Sequence, residues 1–361
     1  MRQRTLASVA VAAAFIIASV AWEHVAGQAQ NGAAPANGTV KAGEGNTART
    51  PWGDPDLQGI WSSGYIEVPL ERPDKYSGRE FMTDEEAAAE QKKLLDRQDH
   101  STGGPASVAS RAGDPGTYNT VFSGRGRDII RTRRTSLVID PPDGKIPWRP
   151  EVRDQAVAQM QMSRTGAGSS IKEDNERGGD GPEDRPNDRC RGVALPHQFG
   201  TVEAGGAHHR IVQSPGVVSI YYEYGPHGGA YRTIRLDARP HLPSGVRQWL
   251  GDPVGRWEGE TLVVDTTNFT HQTNFGGARD NLHLIERFTR AAPDLIIYHA
   301  TIEDPTVFTK PWTMEVPLSK RDDRSNQIFE TACHEGNYGL TGILAGARAT
   351  DKELEKKTRT R

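Results

Sequence analysis

Four ionisable residues stand on segments that alternate like strands: Asp265, His283, Glu286 and Arg287. A carboxylate beside an imidazole makes an acid–base pair, and a guanidinium next to both stabilises developing negative charge. Successive side chains of a strand point to opposite faces. Residues 261–269 therefore carry Leu262, Val264 and Thr266 on one face and Val263, Asp265 and Thr267 on the other. Residues 282–288 divide into Leu282, Leu284, Glu286 and Phe288 against His283, Ile285 and Arg287. In a small barrel one face lines the interior, so at least one of these ionisable groups points inward whichever way each strand lies. If Asp265, His283 and Arg287 share a face, they form a carboxylate–imidazole–guanidinium group suited to proton transfer on a bound ligand. The same types also fit an ion pair between neighbouring strands.

Further candidates lie where strands run out. Glu335, in Cys333-His334-Glu335-Gly336-Asn337, is a fourth possible acid or base, with Asn337 as a ligand contact. Arg239 and His241 follow a strand-like stretch and have the chemistry to hold a carboxylate, phosphate or polarised carbonyl. Stabilisation of a turn is the competing role. Trp257 is a candidate ligand contact beside a Gly-rich turn, although Trp148, Trp249, Trp257 and Trp312 read first as core. Arg287 doubles as a ligand contact. Cys190 and Cys333 are the only cysteines, and in an oxidising compartment two distant thiols are expected to pair. A nucleophilic Cys333 activated by His334 is the weaker reading, because adjacent strand residues face opposite ways. No H-x-H, H-x₃-H or H-E-x-x-H spacing marks a metal site, and no glycine-rich motif for phosphates or dinucleotides occurs. The expectation is no metal and no organic cofactor.

These groups need a scaffold, and the composition narrows it. Gly and Pro make up about one residue in six of 361, against 35% hydrophobic and 25% charged residues. That excludes a helical bundle. Seven Trp, nine Tyr and nine Phe supply core-forming side chains that a disordered chain lacks. A net charge of -3 argues against nucleic acid as a partner. Ten short strand-like segments are readable: 59–63, 136–140, 210–213, 217–224, 231–237, 261–269, 282–288, 295–302, 312–318 and 328–333. Residues 255–260 read as a tight turn. Few helices separate the strands, which favours an antiparallel up-and-down meander that closes into a barrel-like core. Two helices are expected, one from a Thr83/Glu86 capping box to Asp96 and one over 151–162. Residues 97–127 and 164–189 read as long loops, and Arg131, Arg133 and Arg134 as part of a solvated basic stretch.

Residues 1–29 have an Arg2/Arg4 n-region, an apolar stretch over 6–22 and a Gly27-Gln28-Ala29 end, the pattern of a secretory signal peptide. Residues 30–50 then read as a linker, 51–349 as a single β-rich domain and 350–361 as a charged tail. The expected location is periplasmic or extracellular, with membrane contact only through an uncleaved signal segment.

Several phrases resemble a group of secreted bacterial proteins abundant in acidobacteria: Pro55-Asp56-Leu57-Gln58-Gly59-Ile60-Trp61, Gly255-Arg256-Trp257-Glu258-Gly259-Glu260-Thr261-Leu262-Val263-Val264-Asp265-Thr266, Leu282 through Phe288, and Cys333 through Asn337. The resemblance covers about residues 51–349 and implies secretion and architecture, without a particular activity. Gly59-x-Trp61 is also similar to the first-strand signature of lipocalins and related calycin barrels. That likeness implies a ligand-holding barrel with Trp61 closing one end.

The leading expectation is an exported barrel enzyme of hydrolase or lyase type acting on a small apolar or glycosidic molecule. Asp265, His283, Glu286 and Glu335 would carry acid–base chemistry. The alternatives are a non-catalytic, lipocalin-like small-molecule binder and, third, an envelope interaction protein.

Overall fold

The structure, a computed structural model, describes residues 48–62, 68–101, 129–165, 195–196, 208–223, 229–320, 328, 335 and 338–359. Ten strands form one sheet: β1 (Gly59–Ser62), β2 (Val138–Asp140), β3 (His208–Ser214), β4 (Val217–Tyr222), β5 (Ala230–Arg235), β6 (Asp252–Glu258), β7 (Thr261–Thr267), β8 (His283–Ala292), β9 (Leu295–Glu303) and β10 (Trp312–Lys320). β1 and β3 to β10 pair in sequence order, and β1 also pairs with β10, which closes a nine-strand barrel. β2 adds to the other half of the same β10 edge, opposite Thr313 and Met314. Closure satisfies the backbone groups that an open edge would leave to solvent.

The chain mostly follows the expected meander, with one exception. β5 and β6 run parallel and pair at Arg235 and Val254 only, while the connection 236–251 loops outside the wall. That seam is the barrel's thinnest. Its packing is tight nonetheless: a Cβ added to Gly255 would lie 2.6 Å from Ile234 Cγ2 and 2.7 Å from Leu236 Cδ2.

β6 corrects the expectation of a turn over 255–260. Gly255 to Glu258 is strand, and the reversal falls one step later at Gly259, whose φ of +60° suits a residue without Cβ. The phrase Gly-Arg-Trp-Glu lacks the β-branched residues that advertise a strand, and cross-strand pairing overrides that weak local preference.

Inside the barrel, Trp61, Ile211, Val218, Ile220, Ile234, Leu262, Val264, Leu284, Phe288, Ile296, Ala300, Val316 and Leu318 form a continuous buried core. Trp61 is fully buried, donates its Nε1–H to the Leu57 carbonyl at 2.8 Å and lies under the Arg290 guanidinium. Outside, α1 (Asp84–Ser101) begins with the expected capping box. Glu86 N donates to Thr83 Oγ1 at 3.2 Å, and Thr83 N donates to Glu86 Oε2 at 2.9 Å. α2 spans Pro150–Thr165, and a third helix, α3 (Tyr338–Arg359), runs through the boundary expected at residue 350. Arg134 departs from the solvated reading. It is buried and donates to Glu315 at 2.6 Å, while His299 contacts the second oxygen of that carboxylate at 3.0 Å. Ile328 is not in a strand, and the rest of 328–333 lies outside the described residues, as do residues 1–47 and both cysteines.

Candidate functional site

The alternation along β7 and β8 is resolved by burial. Leu262, Val264, Thr266, Leu284, Glu286 and Phe288 face the interior, while Asp265, His283 and Arg287 face outward. The four ionisable candidates therefore do not form one site. Glu286 belongs to an interior cluster, and Asp265 and His283 belong to a chain on the outer wall.

Within the barrel, Glu286 makes an ion pair with Arg232 of β5 at 2.5 Å, both side chains being 1% exposed. Tyr298 of β9 donates its hydroxyl to Glu286 Oε1 at 2.9 Å. Arg232 also donates to Thr266 Oγ1 of β7 and, at 3.4 Å, to the Tyr222 hydroxyl of β4. The cluster thus bridges the β5–β6 seam, linking β5 to β7 and, through Glu286 and Tyr298, to β8 and β9. Burial holds the Tyr222 phenol up at about 12 and raises that of Tyr298 well above its usual range, with the Glu286 charge adding to both, so both phenols are neutral at ordinary pH. Burial works against the Arg232 charge, and the Glu286 carboxylate more than restores it. The pair is charged and internally neutralised. One guanidinium hydrogen, on Arg232 Nε, has no acceptor among the described residues, nor do the indole N–H groups of Trp257 and Trp312 on the same inner face.

Arg232 was legible in part. It shares strand parity with Ile234, so a charge on the apolar face of 230–235 was the available signal.

On the outer wall, Asp265 accepts at one oxygen from two imidazoles. His241 Nε2 and His283 Nε2 each lie 3.0 Å from Oδ1. Beyond them the pattern repeats. His283 Nδ1 lies 3.0 Å from Glu303 Oε2 of β9, and His241 Nδ1 lies 3.3 Å from Asp252 Oδ2 of β6. Arg239 ends the chain with a 2.6 Å hydrogen bond to Asp252 Oδ1, and the Leu242 amide caps Oδ2 at 2.8 Å. Three carboxylates alternate with a guanidinium and two imidazoles over six residues, and four of them are about one-third exposed. The hydrogen bond to Asp265 holds the His283 imidazole above its usual range, against the opposing effect of burial, and Glu303 adds to it. The same bond from His283 holds the Asp265 carboxyl below its usual range, as does His241. Burial pushes the Asp252 carboxyl up, but Arg239 and the Leu242 amide outweigh it.

Asp265, His283, Arg239 and His241 are therefore brought together. Arg287 is not: it reaches Glu258 at 2.8 Å, and Arg239, by way of Asp252, supplies the guanidinium. Trp257 packs half-buried against the core and lines the interior. Glu335 is an exposed turn residue, and Asn337, Cys190 and Cys333 lie outside the described residues. Among the described residues no group of three or more His, Cys, Asp or Glu side chains is arranged to hold a metal ion.

The fold defines a closed β-barrel of nine strands with a buried, mainly apolar interior. No family model and no curated protein matches the chain. Among solved structures, the fluorescent protein UnaG aligns with 14% identity over 32% of this chain and 72% of its own, at a TM-score of 0.21. A single-site variant of UnaG aligns with 13% identity over the same shares, at 0.22. Likeness at that level carries no argument about this chain.

Proposed function

We propose that the barrel binds a small, largely apolar molecule in its interior without transforming it. The observation that carries this reading is the neutralised Arg232–Glu286 pair with its two phenols, set in a mainly aliphatic and aromatic inner face. Sites for small molecules are mostly apolar with a few placed polar groups that fix orientation. The resemblance of Gly59-x-Trp61 to a calycin first strand supports the same reading. So does the export pattern of residues 1–29, which suits a carrier acting in the periplasm or outside the cell.

The acid–base alternative rests on the outer chain, which is chemically able to move protons. Its imidazoles and carboxylates are, however, engaged with one another on the far side of the wall from the interior. Titration of the purified mature protein with the neutral fluorescent probe N-phenyl-1-naphthylamine tests the binding reading. Saturable one-to-one enhancement, unchanged by Asp265→Asn or His283→Ala, is expected. Absence of saturable binding by this or any other apolar probe overturns it, and turnover lost in those two variants would restore the catalytic alternative.

A further inference from the structure

We infer that the ligand carries an uncharged hydrogen-bond acceptor, a carbonyl, ester or ether oxygen, on an apolar body. The inference rests on the binding proposal above and deepens it. Two independent features of the inner face support it.

The first is charge closure. Arg232 and Glu286 lie 2.5 Å apart, with side chains 1% exposed, so this pair already balances its own charges, while the second guanidinium on the inner face, Arg290, is engaged over Trp61 and with the Asp56 and Pro293 carbonyls. A ligand carboxylate would place a second negative charge beside Glu286, whose side chain is shielded from bulk solvent. An ammonium would do the same beside Arg232. A buried charge without its own partner is strongly disfavoured. A neutral head group adds no charge.

The second is an imbalance of unsatisfied groups. Arg232 Nε, Trp257 Nε1 and Trp312 Nε1 are buried donors without acceptors among the described residues. Among the described residues, the buried inner-face oxygen without a hydrogen bond, Glu286 Oε2, is in ionic contact with Arg232 Nη1. Guanidinium and indole nitrogens donate and cannot accept. What the interior lacks is oxygen lone pairs, and an unpaired buried donor costs more than a satisfied one returns. A ligand bringing an acceptor oxygen relieves part of that deficit, whereas a hydrocarbon leaves all of it in place.

The test is a matched series displaced against N-phenyl-1-naphthylamine at neutral pH: methyl decanoate, decanoate, decylammonium and hexylbenzene. Methyl decanoate is expected to bind at least tenfold tighter than each of the other three. In Arg232→Met/Glu286→Leu, which removes donor and partner together, and separately in Trp257→Phe, its advantage over hexylbenzene is expected to shrink. Because the double substitution leaves no orphaned charge, circular dichroism and a cooperative melt verify that it folds. If decanoate or decylammonium binds tightest, or hexylbenzene equals the ester in the unsubstituted protein, the inference is overturned while the barrel remains a binder. If none of the four displaces the probe and the probe itself does not saturate, the binding proposal falls with it.

Discussion

The molecule carries two polar ladders separated by the thickness of one barrel wall. Inside, Arg232, Glu286 and Tyr298 are almost wholly buried. Outside, Arg239, Asp252, His241, Asp265, His283 and Glu303 bridge the connection 236–251 to strands β6 to β9. Both use carboxylates to bridge elements distant in sequence. Desolvation separates them. A charge removed from water depends on its single partner, whereas one that is a third exposed keeps water as a substitute. The interior pair is thus a specific, fragile link, and the exterior chain is a graded, pH-responsive one.

The largest expected effect breaks the interior pair on one side. Glu286→Leu leaves the Arg232 guanidinium buried without its counter-charge and is expected to cost about 3–5 kcal/mol in chemical denaturation. Adding Arg232→Met should recover most of that loss. Equal stability of single and double variants would mean that water reaches Arg232 and that the contrast between the two ladders is wrong.

Next comes the seam that the interior cluster spans. Gly255→Val places methyl groups against Ile234 and Leu236, where even a Cβ is 2.6 Å from the nearer one, and should cost about 1–3 kcal/mol by thermal unfolding. An unchanged melting temperature would show that β5 and β6 part without penalty.

The exterior chain responds to pH. His283 is held above its ordinary value of 6.5, so its contribution is whole below about pH 6.5 and fades as pH rises through the folded value. Subtracting the stability of His283→Gln from that of the unsubstituted protein between pH 5.5 and 8.5 should give a difference that declines with pH. Its amplitude should stay under about 1 kcal/mol, given the solvent exposure. A difference that grows with pH would contradict the hydrogen-bond assignment. Smallest of all, Arg287→Ala removes only an exposed pair with Glu258 and should stay within about 0.5 kcal/mol in the same unfolding assay. A larger loss would place Arg287 in a network beyond that pair.

Strand positions were largely legible because a half-buried strand alternates in sequence. Asp265 and Thr266 stood on opposite faces before any pairing was known. Which face was inner was not, because each of the two strands offers a mixed set on both sides. Only closure of the sheet distinguishes Glu286 from His283. The meeting of His241 with Asp265 depends on a loop returning over 24 residues, and that of His283 with Glu303 on the β8–β9 register. Neither distance is encoded in local spacing. The Thr83/Glu86 capping box, by contrast, is a four-residue event and was readable as written.

Under the binding proposal, the ligand site is inside the wall and the outer chain is structural. Parallel titrations of methyl decanoate into the unsubstituted protein, Arg232→Met/Glu286→Leu and Asp265→Asn/His283→Gln test it most directly. At least a tenfold loss of affinity confined to the interior variant is the predicted result. A loss confined to the exterior variant would contradict it.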